Sequence, residues 1–172
     1  VLMSATLDGE RVARWFDAPR LASAGRSYPV RVEHPPARAG EAWPERGWTA
    51  HLRRAVELAL ANGEGDVLVF LPGKREIDKA RDALSAPGPQ PPALVPLHGE
   101  LSLAEQQSAL AAAPAGTRRI VLATNVAESS LTLPGVRAVV DLGLAREPRF
   151  HPDSGFTRLD NAMVSQASAD QR

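Results

Sequence analysis

Cysteine is absent from this chain. That excludes disulfides and thiolate metal centres, and it fits a reducing, cytoplasmic setting. Net charge is absent as well, because 20 Lys and Arg balance 20 Asp and Glu. No global basic field announces nucleic acid, so any such binding must be local. Lysine is scarce: Lys74 and Lys79 are the only two, and arginine is the main cation. No apolar run approaches the roughly 20 residues of a membrane span, so no membrane partner is expected. Residues 1–6 lack the basic start of a signal peptide and open as if mid-strand. The sequence reads as a piece of a longer protein.

Several catalytic signatures are missing too. Gly73-Lys74-Arg75 invites a phosphate-loop reading, but the earlier glycine of that motif would fall at position 68, where Leu68 stands. Glu76 also occupies the place of its Ser or Thr. No Asp-Glu-x-His or Asp-Glu-x-Asp string follows an apolar strand, so the chain has no recognisable Mg-nucleotide site of its own. His34, His51, His98 and His151 lie far apart without ligand spacing, and no metal site is expected. Ser129-Ser130 has no Gly-x-Ser-x-Gly context, which disfavours a serine hydrolase. No Gly-x-Gly-x-x-Gly follows a strand, which disfavours a Rossmann-type enzyme.

What is present is a regular alternation. Asp66-Val67-Leu68-Val69-Phe70-Leu71 is a continuous apolar run, typical of a strand buried on both faces of a parallel sheet. Further strands are expected over residues 1–3, 28–34, 93–97, 119–123 and 136–142. Helices are expected over residues 10–16, with Asp8 as N-cap, 49–62, with Thr49 as cap, and 75–84. Ser102 caps another helix, running to about residue 112, where Glu105 completes a capping box. Residues 129–131 read as one helical turn. The pattern is α/β with a mostly parallel sheet. Near the end, residues 145–151 and 156–161 flank Pro152-Asp153-Ser154-Gly155, the signature of an antiparallel hairpin. A helix is expected over residues 162–172.

Ligands bind beyond the carboxyl ends of strands in open α/β sheets. The loops there hold Gly73, Lys74 and Arg75; His98 and Gly99; and Thr124, Asn125, Ser129, Ser130 and Thr132. Hydroxyl and amide groups of this kind fix a phosphodiester backbone without reading bases. The same groups also suit a plain polar loop that caps a short helix, and both readings stay open at this point. Lys74 and Arg75 at a helix start are phosphate contacts or a solvated basic turn. His98 is a phosphate donor or a turn-stabilising histidine. The hairpin's Arg146, Arg149, His151 and Arg158 suit a strand-separating wedge, a nucleic-acid contact or an ordinary solvated ribbon.

Taken in order, the strings resemble a family. Ser4-Ala5-Thr6-Leu7, Leu68 to Gly73 with Glu76-Ile77, Leu97-His98-Gly99, the block from Ala123 to Thr132 and Gln171-Arg172 are similar to superfamily 2 DEAH-box RNA helicases, in the style of the bacterial HrpB-type branch. The resemblance spans nearly the whole chain, and the block after Ala123 is its most specific part. It implies that residues 1–26 are the end of a first RecA-like domain and a linker. Residues 27–172 would be the second RecA-like domain, with a strand-separating hairpin over 145–161. It further implies that Ser4, Ala5 and Thr6 couple nucleotide state to RNA grip. Gly73, Lys74, Arg75, Thr124, Asn125 and Ser129 would contact the RNA backbone, Thr132 would face the nucleotide, and Gln171 would begin the motif that reaches the γ-phosphate.

ATP and Mg2+ would be held mainly by the first domain, and the partners would be RNA plus the other domains of the parent chain. Pro134 stands where many members carry an acid. The family motif continues past Gln-Arg to further arginines, so this chain alone is expected to be inactive. The alternative is a non-catalytic RecA-like module that binds nucleic acid or protein.

Overall fold

The computed structural model describes residues 9–21, 29–85, 91–114, 116–128 and 133–172. Its centre is a parallel sheet of four strands in the order β2-β3-β1-β4. These are β1 (Asp66–Phe70), β2 (Ala93–Leu97), β3 (Arg119–Ala123) and β4 (Val136–Asp141). All neighbouring pairs run parallel, with Phe70 opposite both Ala123 and Asp141, and Leu97 opposite Ala123. The expected α/β architecture is the one observed.

β1 and β3 are buried along their whole length, because helices cover the sheet on both faces. Strand side chains alternate, so each strand feeds two cores. Val67, Val69, Leu71, Ile120 and Leu122 face one way. They meet Trp48, Leu52 and Val56 of α2 (Trp48–Ala61) and Ile77 and Ala80 of α3 (Lys74–Leu84). Leu68, Phe70, Val121 and Ala123 face the other way, toward Leu97 and Ala109 of α4 (Leu103–Leu110). Each fully buried Val, Leu, Ile or Phe is worth about 1.5–3 kcal/mol, so two-sided burial makes β1 and β3 the stable centre.

Buried polar groups at the amino ends of the strands are paired. Asp66 accepts from the Arg119 backbone N–H and from its Nε, each at 2.8 Å. Arg118 donates to the carbonyls of Leu60, Gly63 and Gly65 at 2.8–3.0 Å, satisfying the end of α2 and the loop behind it. Ser102 and Glu105 form the expected capping box. Hydrogen bonds from the Ser102 hydroxyl and backbone N–H hold the Glu105 carboxyl below its ordinary value.

The hairpin is a separate two-stranded sheet, β5 (Leu144–His151) with β6 (Phe156–Met163). Both strands extend past the expected ends, so the final helix is α5 (Gln166–Gln171) and not residues 162–172. Ser165 caps it by accepting from the Ser168 N–H at 3.1 Å. The first described helix is α1 (Gly9–Phe16), close to the expected span.

Two further expectations are corrected. Pro29 to His34 forms no strand; Val30 and Val32 are 82% and 71% exposed, and the segment pairs with none of the described strands. Thr49 does not cap α2: the N-cap is Gly47, without a side-chain bond, and Thr49 lies inside the first turn. The segment before α2 is tied down differently. The Arg54 Nη1 donates to Glu41 Oε1 at 2.7 Å, and Trp43 meets Trp48 edge-on at 5.4 Å. The strand expected at residues 1–3, the Asp8 cap and the turn expected at 129–131 lie outside the described residues.

Candidate nucleic-acid and nucleotide interface

Because β1, β2, β3 and β4 are parallel, their following loops open on one rim. β1 and β3 are direct neighbours, so the turn at Gly73-Lys74-Arg75 and the turn at Thr124-Asn125 stand side by side. The rim is held by backbone bonds: Leu71 N–H donates to the Ala123 carbonyl at 2.8 Å, and Thr124 N–H to the Leu97 carbonyl at 3.1 Å.

After β1 the chain turns at Pro72-Gly73 and enters α3, where Gly73 is the N-cap and contributes no side-chain bond. Lys74 and Arg75 are exposed at the first turn. Lys74 Nζ lies 3.5 Å from Asp78 Oδ2, whereas Arg75 makes no ion pair among the described residues. Two cations beside the amino end of a helix form a local positive field in a chain with no net charge.

After β3 the chain forms a 3-10 turn, Asn125–Ala127, following Thr124. Asn125 is exposed and Thr124 half-buried. This 3-10 turn was not among the elements expected from the sequence. His98, at the end of β2, is buried, and its Nδ1 has no hydrogen-bond partner among the described residues. Ser129, Thr132, Ser4, Ala5 and Thr6 lie outside the described residues.

Gln171 stands at a cluster that sequence reasoning did not foresee. Arg172, beside it, has a side chain only 2% exposed. Its Nε donates to Glu128 Oε1 at 2.7 Å, and Nη2 donates to the same carboxylate. Nη1 donates to Asp141 Oδ1 at 2.8 Å, and the guanidinium lies over the Phe70 ring at 4.6 Å. Ser168 Oγ donates to Glu128 Oε2 at 2.8 Å. Glu128, just after the 3-10 turn, and Asp141, the last residue of β4, thus fasten α5 onto the sheet. Gln171 and Arg172 line a cavity of about 340 Å³ with Phe70, Ala127, Glu128 and Leu133. The available signal was Glu128 itself, the one charged residue in an otherwise uncharged loop.

Among the described residues, no three His, Asp or Glu side chains converge as metal ligands. The rim offers the exposed cations Lys74 and Arg75, the Thr124 hydroxyl and the Asn125 amide. Among the same residues, no helix is long and apolar enough to cross a membrane.

The rim of loops and the appended hairpin are shared with known proteins. Residues 50–169 match the family model described as helicase conserved C-terminal domain. The chain belongs to that family. It is 41% identical over 179 residues to the ATP-dependent RNA helicase HrpB of Escherichia coli, an alignment covering 100% of this chain and 21% of that protein. The ATP-dependent RNA helicase HrpA of the same organism is 40% identical over 173 residues, covering 100% of this chain and 13% of HrpA. The crystal structure of the Escherichia coli DEAH/RHA helicase HrpB superposes with a TM-score of 0.83 at 42% identity, over 99% of this chain and 21% of that one. This helicase C-terminal domain therefore spans about a fifth of the length of HrpB.

Proposed function

We propose that this chain acts as the second RecA-like domain of a cytoplasmic ATP-dependent RNA helicase, with residues 27–172 forming the domain and 1–26 the approach from a first one. The observation that carries the reading is the placement of Gly73-Lys74-Arg75 and Thr124-Asn125 on neighbouring strand ends, in a chain similar over its whole length to RNA helicases. The cations supply attraction to phosphates, and the Thr124 hydroxyl and Asn125 amide supply short neutral donors. Such contacts hold a backbone in register whatever its sequence. Ser129 extends the same loop.

Thr132 and Gln171 are the residues assigned to the nucleotide side. Gln171 is carried by α5, which Arg172 and Ser168 bind to Glu128. ATP with Mg2+, held mainly by the first domain, supplies the free energy of the cycle. This chain's share is to grip the strand, to present Gln171 and Thr132 at the cleft, and through Ser4, Ala5 and Thr6 to link cleft and grip. The hairpin stands where a duplex would divide.

The test uses the full-length parent protein. RNA-stimulated ATP hydrolysis should fall about tenfold or more in Thr124→Ala/Asn125→Ala, the scale of losing two backbone contacts at about 1 kcal/mol each. Unchanged hydrolysis and unchanged RNA affinity would refute the grip. RNA binding with no ATP dependence in the wild type would favour the non-catalytic module instead.

A further inference from the structure

The hairpin and the sheet are separate sheets, so something other than strand pairing must fix their relation. At the root, Val164 N–H donates to the Gly143 carbonyl at 3.0 Å, and Leu144 is buried. One alternation further along β5 is Arg146, opposite Asn161. Its side chain is only 31% exposed, and its Nε is buried. It crosses to the turn between β1 and α3, where Nη2 comes to 3.5 Å from Glu76 Oε2.

Gly73 makes this approach possible. A Cβ at Gly73 would lie 3.0 Å from Arg146 Cζ and Nε and 3.1 Å from Glu76 Oε2. The Glu76 side chain is 8% exposed. Its Oε2 and the Arg146 Nε are both buried without a hydrogen-bond partner among the described residues. A charged pair left just beyond hydrogen-bond distance is an unfinished contact, since such bonds close to about 2.7–2.9 Å when geometry allows. A small movement of either element completes or breaks it.

We propose that Arg146 and Glu76 are a coupling pair that transmits the state of the Gly73-Lys74-Arg75 turn to the hairpin. Glu76 follows Arg75 in the first turn of α3, so any shift that brings Lys74 and Arg75 onto a phosphate moves its carboxylate against Arg146. Arg146 is then a positioning residue within the hairpin and not a nucleic-acid contact. The inference rests on the RNA-helicase reading and adds to it the route by which grip reaches the point of strand separation.

The experiment measures duplex separation and RNA-stimulated ATP hydrolysis on the full-length parent, with a tailed RNA duplex as substrate. Glu76→Gln should keep ATP hydrolysis and RNA affinity while losing about tenfold in duplexes separated per ATP consumed, a loss within the usual range of coupled charge pairs. Arg146→Gln should show the same loss per ATP. The double variant Glu76→Gln/Arg146→Gln, which leaves no lone buried charge, should be no worse than either single change. Unchanged separation per ATP in Glu76→Gln, or losses that simply add in the double variant, would overturn the proposal. A wild-type parent that neither hydrolyses ATP with RNA nor separates strands would instead bring down the helicase reading, and this pair's role with it.

Discussion

Removing Asp66 should cost more stability than any surface ion pair in the chain. Asp66 and Arg119 have side chains 4% and 6% exposed, and they join the amino ends of β1 and β3, opposite the proposed grip. Asp66→Ala leaves the Arg119 guanidinium buried, with the Ala111 carbonyl at 2.6 Å and those of Ala109 and Pro134 at 3.4 Å as its remaining acceptors. Carbonyls satisfy hydrogen bonds but supply no countercharge, so breaking such a pair costs about 3–5 kcal/mol. Urea unfolding of the 172-residue chain, followed by the fluorescence of buried Trp48, measures this directly. With a slope of about 2–3 kcal/mol per molar, the midpoint should drop by about 1–2.5 M. Arg53→Ala is the control. Its pair with Glu57 is 52% and 57% exposed, and the change should cost under about 0.5 kcal/mol. A loss below about 1 kcal/mol for Asp66→Ala would refute the claim that the buried guanidinium depends on Asp66 for its countercharge.

Arg118→Ala orphans the carbonyls of Leu60, Gly63 and Gly65 and should lower stability by about 1–3 kcal/mol in the same titration; full recovery by Arg118→Lys would show that charge and not the forked geometry matters. Direct hydrogen bonding from Arg54 holds the Glu41 carboxyl at about 2, against an ordinary 4.5. The folded value is the lower one, so the contact's contribution is complete above pH 4.5 and fades as pH falls through about 2. Trp43 and Trp48 fluorescence should report that change, and Glu41→Gln should erase it. In the parent protein, Glu128→Gln weakens the hold on Arg172 and should reduce the maximal rate of RNA-stimulated ATP hydrolysis while leaving RNA affinity intact; an equal fall in RNA affinity would place Glu128 in the grip instead.

Local signals were the legible ones. The apolar runs of β1 and β3, the short β2 and the Ser102–Glu105 capping box each depend on residues close in sequence, and each stands where expected. Pro29 to His34 shows the limit of such signals. Its alternation fits a strand, but alternation alone supplies no partner, and this segment pairs with none of the described strands. The final helix was overestimated for a related reason: Ala162 and Met163 are good helix formers, yet their pairing with Ala145 and Leu144 decides for β6. The site was half legible. Its loops follow from a parallel sheet, but the clasp of Arg172 on Glu128 joins residues 44 apart in sequence; at the opposite end of the strands, that of Arg119 on Asp66 joins residues 53 apart. No periodicity marks such pairs. They become visible only when neighbouring strand ends are placed in space.

In the proposed grip, the paired loops hold a nucleic-acid backbone by charge and not by base sequence. Its most direct measurement is the salt dependence of RNA binding by the parent protein, with Lys74→Ala and Arg75→Ala, on two single strands of different base composition. Each cation that meets a phosphate should take about 0.7 from the slope of log affinity against log salt. Arg75, unpaired among the described residues, should show the full effect, and Lys74, shared with Asp78, a smaller one. The losses should be equal on both strands. An unchanged slope, or a loss confined to one base composition, would contradict it.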